Sequence, residues 1–162
     1  MSDGVVRLKV DLPLATAERI IAGTLAAARQ ERMLPLAIAV LDAGGQLVAF
    51  GREDGCGIAR ADIALGKAAG ALGMGVSGRL LRDRLKERVG FQATVAAATG
   101  GRFVPVPGGV LVLDAEGRAI GAVGISGDAS DRDEYCAIMG IRGVGLACDP
   151  AEPAAGWREA AL

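Results

Sequence analysis

Two stretches of this chain repeat one pattern, and that repeat restricts the available folds more than any other feature. Leu36 to Leu41 is an apolar run, Asp42 to Gly45 reads Asp-Ala-Gly-Gly, and Gln46 to Phe50 is apolar again. Val110 to Leu113, then Asp114 to Gly117 as Asp-Ala-Glu-Gly, then Arg118 to Ile125 follow the same plan. Short apolar runs separated by Asp and Gly form hairpins, because Asp accepts turn hydrogen bonds and glycine takes positive φ. Two similar hairpins predict one antiparallel sheet.

The segments around the hairpins have helical spacing. Pro13 suits a first helical position, and Leu14, Ala17, Ile21, Leu25 and Ala28 recur on one face, predicting a helix over 13–31. Arg60 to Met74 is a small-residue helix that suits close backbone packing. Ser77 to Arg88 is amphipathic about Leu80, Leu81 and Leu85, and Phe91 to Ala98 is a short apolar helix stopped by Gly100 and Gly101. Arg102 to Pro105 reads as a short edge strand. Ser130, with Asp133 three residues on, offers an N-cap for a last helix reaching about Cys148. The expected fold is α+β, one domain over 1–162 with a core over about 12–147. It has an antiparallel sheet of about five strands packed by helices, and a loose tail over 149–162.

Composition removes several function classes. Net charge is −1, without the basic excess that a phosphate backbone needs, so no nucleic-acid partner is expected. Met1 to Asp11 holds no apolar run, and no stretch is long enough to cross a bilayer, so neither a leader nor a membrane partner is expected and the assigned location is cytoplasmic. Cys56, Cys136 and Cys148 are too widely spaced for a disulfide framework or zinc knuckle. Histidine is absent, which excludes any Ser-His-Asp or Cys-His mechanism within one chain.

The candidate site residues follow from side-chain chemistry. Lys67 lies in an Ala/Gly-rich helix where burial could desolvate its amine and fit it for acid–base or Schiff-base work; the alternative is a buried stem with its ammonium in water. Arg52 could clamp a carboxylate with Asp54 orienting it, or the two could form a turn-stabilising ion pair. Gly108 and Gly109, like the glycines over 121–127, either present backbone amides to a ligand or serve close packing. Phe91 is a ligand-contact candidate. Gly73 to Gly78 matches the dinucleotide fingerprint letter for letter but follows a helix rather than a strand, so it reads as a helix stop. Asp128, Asp131, Asp133 and Glu134 suit a helix N-terminus better than a metal, and no metal site is assigned. Cys56 and Tyr135 read as packing residues.

Ala39 to Phe50, Arg52, Asp54 and Gly55, Ala61 to Ala68, Thr99 to Pro105, Gly108 and Gly109, and Gly121 to Gly127 together resemble, in order and spacing, the GlcG/HbpS family and the PduO C-terminal domain. The resemblance runs from about Leu12 to Ala147. It implies a profilin-like fold, a homo-oligomer, and a small-molecule ligand such as haem, a corrinoid or a related planar metabolite, held here without a histidine axial ligand. The alternative reading is a cofactor-independent enzyme carrying out isomerisation, elimination or hydration on a small carbonyl or carboxylate metabolite, with Lys67 as acid or base and Arg52 positioning the anion. A scaffold without a ligand is a third reading.

Overall fold

The computed structural model describes residues 4–162; Met1 to Asp3, part of the stretch read for a leader, lie outside them. Helix α1 (Leu14–Gln30) leads into the hairpin β1 (Ala37–Asp42) and β2 (Leu47–Arg52). Helices α2 (Ala59–Met74), α3 (Gly78–Leu85) and α4 (Val89–Ala98) follow, then the hairpin β3 (Gly109–Leu113) and β4 (Ala119–Ser126). Helix α5 (Ser130–Gly143), strand β5 (Ala147–Asp149) and a short 3-10 turn (Trp157–Glu159) complete the order. The five strands form one antiparallel sheet in the order β2-β1-β4-β3-β5.

Strand alternation assigns each face a layer. Ile38, Val40, Val110, Val112, Val123 and Ile125 point to α1 and α5 and form the main core with Ile20, Ile138 and Ile141. Leu41, Leu111 and Ala122 point the other way, to Ala68 and Ala71 of α2. The domain is thus α+β in three layers, with the sheet between α2 and the α1/α5 pair. Glycine sets how near α2 approaches. A Cβ at Gly124 would collide with the Ala64 carbonyl of α2, and one at Gly109 with the Lys67 carbonyl. The strand glycines therefore serve backbone-to-backbone packing. Gly75, at φ 65°, ends α2 at the glycine-rich motif, as the helix-stop reading expects.

Three expectations need correction. Residues 102–105 form no strand: Phe103 is buried, and the Val104 N–H donates to the Gly66 carbonyl (3.1 Å), so this segment lies across the glycine face of α2 instead of the sheet edge. The last helix stops at Gly143, not Cys148, and Ala147–Asp149 becomes the fifth strand, antiparallel to β3. Ser130 is inside that helix rather than capping it; Ala129 is the cap, and the Asp128 carboxylate accepts the Ala129 N–H (2.7 Å). Beyond Asp149 most residues are exposed, and contact with the domain centres on Trp157. Trp157 is buried and stacks on Tyr135 with centroids 3.7 Å apart, while Arg158 pairs with Glu31 (2.9 Å).

Candidate functional site

The polar centre of the molecule lies where β3 begins and β4 ends. Lys67, on the sheet-facing side of α2, sends its amine past Gly108 to Asp133 of α5, Nζ to Oδ2 2.9 Å, with both side chains almost wholly buried. A Cβ at Gly108 would lie 2.9 Å from that Nζ, and Gly108 holds φ 105°, so glycine keeps the path open. The other oxygen of Asp133 accepts the Asp128 N–H (3.0 Å). Burial pushes the Asp133 carboxyl up to about 6 against the pull of Lys67. The pair ties the two helical layers together at the end of the sheet.

Glu134, the next residue, repeats this with another helix. Its buried carboxylate meets Arg79 of α3 at 3.0 Å, and burial raises it to about 7 although Arg79 opposes the shift. Arg79 also donates to the Glu152 carbonyl (2.6 Å), linking the tail to α3. All four members of the acidic cluster meet cations: Asp128 pairs with Arg132 (3.1 Å) and Asp131 with Arg82 (3.5 Å) near the helix start, and the buried Asp133 and Glu134 with Lys67 and Arg79. Among the described residues no group of side chains is arranged to hold a metal ion.

Beside the Lys67 pair, the α2 face of the sheet ends in a row that runs from the exposed Arg52 to the buried Ser126. Ala37 of β1 registers with Arg52 of β2 on one side and Ser126 of β4 on the other. The three residues share one face and span two strand spacings, about 10 Å. Arg60, on the first turn of α2, donates to the buried Ser126 hydroxyl (3.3 Å). Cys56 packs beneath, with Ala37, Ala39 and Ala64. Burial raises its thiol pKa; the positive charges of Arg60 and Arg52 oppose that rise and the carboxylates of Glu53 and Asp133 add to it, so charges of both signs act on this spot. Neither arginine has a carboxylate partner among the described residues, although Glu53 stands between them in sequence. Glu53 is committed elsewhere, accepting the Leu36 N–H (2.8 Å) and Arg29 (3.0 Å).

The sequence-derived candidates therefore separate. Arg52 and Asp54 are exposed near the row, and no ion pair joins them. Lys67, Gly108 and Gly109 are buried just below, where the two glycines pack on Lys67 and its backbone. Phe91 is elsewhere, on α4, under Arg88 (4.4 Å to the ring) in a groove with Met74, Val76, Leu81 and Leu85. Reading the sequence missed Arg60, Ser126 and Asp133 as partners. Arg60 was visible only as a helix start, and the link from Lys67 to Asp133 crosses 66 positions. A recess of about 280 Å³ lies further along α2, bounded by Ala69, Leu72, Gly73 and the Gly44–Gly45 turn, with Arg102 donating to the Gly45 carbonyl (2.7 Å) at its rim.

Residues 12–142 match the model of a family described as haem degrading protein HbpS-like. Comparison with curated protein sequences gives no match. Among solved structures, the chain is similar to a PduOC:heme complex at 21% identity, covering 88% of this chain and 98% of that one, with a TM-score of 0.74. It is similar to the Klebsiella pneumoniae protein ORFY at 21% identity, covering 90% and 97%, TM-score 0.73. A double mutant of Streptomyces reticuli HbpS gives 22% identity, 88% and 92% coverage and a TM-score of 0.69. At these identities the likeness establishes a shared fold.

Proposed function

The chain belongs to the HbpS-like family, and from that premise we propose that it binds a small carboxylate-bearing planar ligand of the haem type at the row formed by Arg52, Arg60 and Ser126. One observation carries this reading. Arg52 and Arg60, whose charges both act on Cys56, form no ion pair among the described residues, while the cations just inside, Lys67 and Arg79, are matched. A guanidinium presents a planar fork of donors suited to a carboxylate. A haem has two such groups on one edge. With no histidine in the chain, its edge carboxylates, rather than an imidazole on the iron, would supply the specific contacts. A corrinoid fits this reading less well, because the anchors proposed here are carboxylates.

Lys67 enters as the tie beneath the site, not as an acid or base, since its amine is committed to Asp133 and enclosed. Gly108 and Gly109 let that tie form. Asp54 sits at the rim. Self-association accompanies the reading: α4 is an apolar helix in which no residue is buried, and Val89 and Phe91 stand exposed on it. Among the described residues no helix is long and apolar enough to cross a membrane.

Native mass spectrometry of the full chain with haemin tests the proposal. The wild type is expected to take up a saturable complement, and the Arg52→Gln, Arg60→Gln double variant to lose it while keeping its unfolding curve. Equal uptake by the two proteins would overturn the proposal.

A further inference from the structure

We infer that residues 6–11 form a sixth strand on the β2 edge of a second copy of this chain. Between the described start and α1 the chain forms neither helix nor strand, yet it alternates in sequence as a strand does. Val6, Leu8 and Val10 fall on one side and are 84%, 87% and 63% exposed; Arg7, Lys9 and Asp11 fall on the other. The Lys9–Asp11 ion pair at 2.9 Å is the two-residue contact that an extended backbone allows. Leu12, 2% exposed beside Gly121, anchors the arm to its own domain, and Lys9 to Asp11 line a recess with Asp42 to Gly44 and Val48, so the arm starts from a fixed point beside the β1–β2 turn.

The matching surface is on the same molecule. Strand β2 is a terminal strand of the sheet, so one edge of its backbone has no ladder partner. It is six residues long, the length of the arm. A register shift between Val40 and Leu41 places Leu47 on the same face as Phe50, the α2 side, and both are exposed, at 53% and 40%. A strand laid along this edge with Val6, Leu8 and Val10 on the α2 side would cover both. Arg7 and Lys9 would then fall on the α1 side, where Ile21 of α1 packs on Gly51 and Glu18, one turn earlier, is exposed without an ion pair among the described residues. Apolar and charged faces are both complementary.

The partner is a second copy because the isolated chain holds arm and edge together and forms no ladder bond between them. Main-chain bonds give such strand addition its affinity, and alternate side chains give it register. Reciprocal exchange of two arms makes a closed two-fold pair. This inference is independent of the ligand reading and of α4.

Hydrogen exchange on the intact protein, read over a dilution series beside native mass spectrometry, tests it. The amides of residues 6–11 and the outward amides of β2 should be protected in the associated state and lose protection together on dilution. Leu8→Pro removes a strand donor without touching the core. It should weaken association by about tenfold or more and leave the thermal unfolding of the monomer unchanged. Phe50→Lys should act in the same direction from the other side. Arm amides that exchange freely in an associated wild type, or protection that does not change with dilution, would overturn the inference; so would association unchanged in Leu8→Pro. Assembly through α4 alone would give the first of these results.

Discussion

The end of the sheet holds two kinds of charge a few residues apart. Inside, Lys67 faces Asp133 and Arg79 faces Glu134, both carboxylates wholly buried and both cations met at about hydrogen-bond distance. Outside, Arg52 and Arg60 form no ion pair among the described residues, and Arg60 donates to the Ser126 hydroxyl. A charge removed from water must find its partner within the chain or the domain does not fold; a charge at the surface is under no such demand. The buried pairs therefore report on stability and the open pair on binding, and the two can be perturbed separately.

The largest expected effect is at the buried pair. Lys67→Ala leaves the Asp133 carboxylate sealed and unmatched, and should cost roughly 3–5 kcal/mol in urea unfolding at neutral pH. Replacing both members, as in Lys67→Met with Asp133→Leu, should return most of that loss. A double variant as unstable as the single one would show that the pair does more than satisfy itself. Next comes the close contact that sets the depth of α2. Gly124→Ala should cost roughly 2–3 kcal/mol, because its methyl group meets the Ala64 carbonyl of a packed helix.

Glu134 gives a pH-dependent form of the comparison. Its folded-state pKa, about 7, lies above the ordinary 4.5 because burial favours the neutral acid. The stability it contributes is full below the ordinary value and is lost as pH rises through 7. On the order of 2 kcal/mol from Glu134 should therefore disappear between pH 5 and pH 8, and Glu134→Gln should reduce the slope to the part that Asp133, raised to about 6, contributes in the same direction. Thermal unfolding at stepped pH reads both, and an unchanged slope in the variant would assign the titration to another group. The smallest effect on stability is outside: Arg52→Ala, at an exposed arginine, should change unfolding by less than about 0.5 kcal/mol while weakening haemin binding about tenfold.

The legibility of the sequence follows the same division. Both hairpins and the first three helices follow from spacing and turn chemistry, because local pattern and tertiary environment agree there. Strand β5 is three residues, Ala147, Cys148 and Asp149, too short for alternation to register. Val104 reads as a strand residue, yet its N–H goes to a helix carbonyl that only the glycines of α2 expose. Trp157 sits in an alanine- and proline-rich tail, and its stacking on Tyr135 is a contact that composition does not signal. At the site, Arg52 was visible as a lone cation in a loop. Its neighbour Arg60 and the acceptor Ser126 join it only through strand register, and Asp133, which looks like a capping acid, reaches Lys67 only across the end of the sheet.

The most direct test of the central claim is to titrate wild type and the Arg52→Gln, Arg60→Gln double variant with haemin and with haemin dimethyl ester, whose edge carboxylates are blocked. Binding through the open arginines predicts that the wild type prefers the free acid by about tenfold or more, and that the double variant binds both forms alike and weakly. Equal wild-type affinity for acid and ester, or a preference that survives in the double variant, would contradict it.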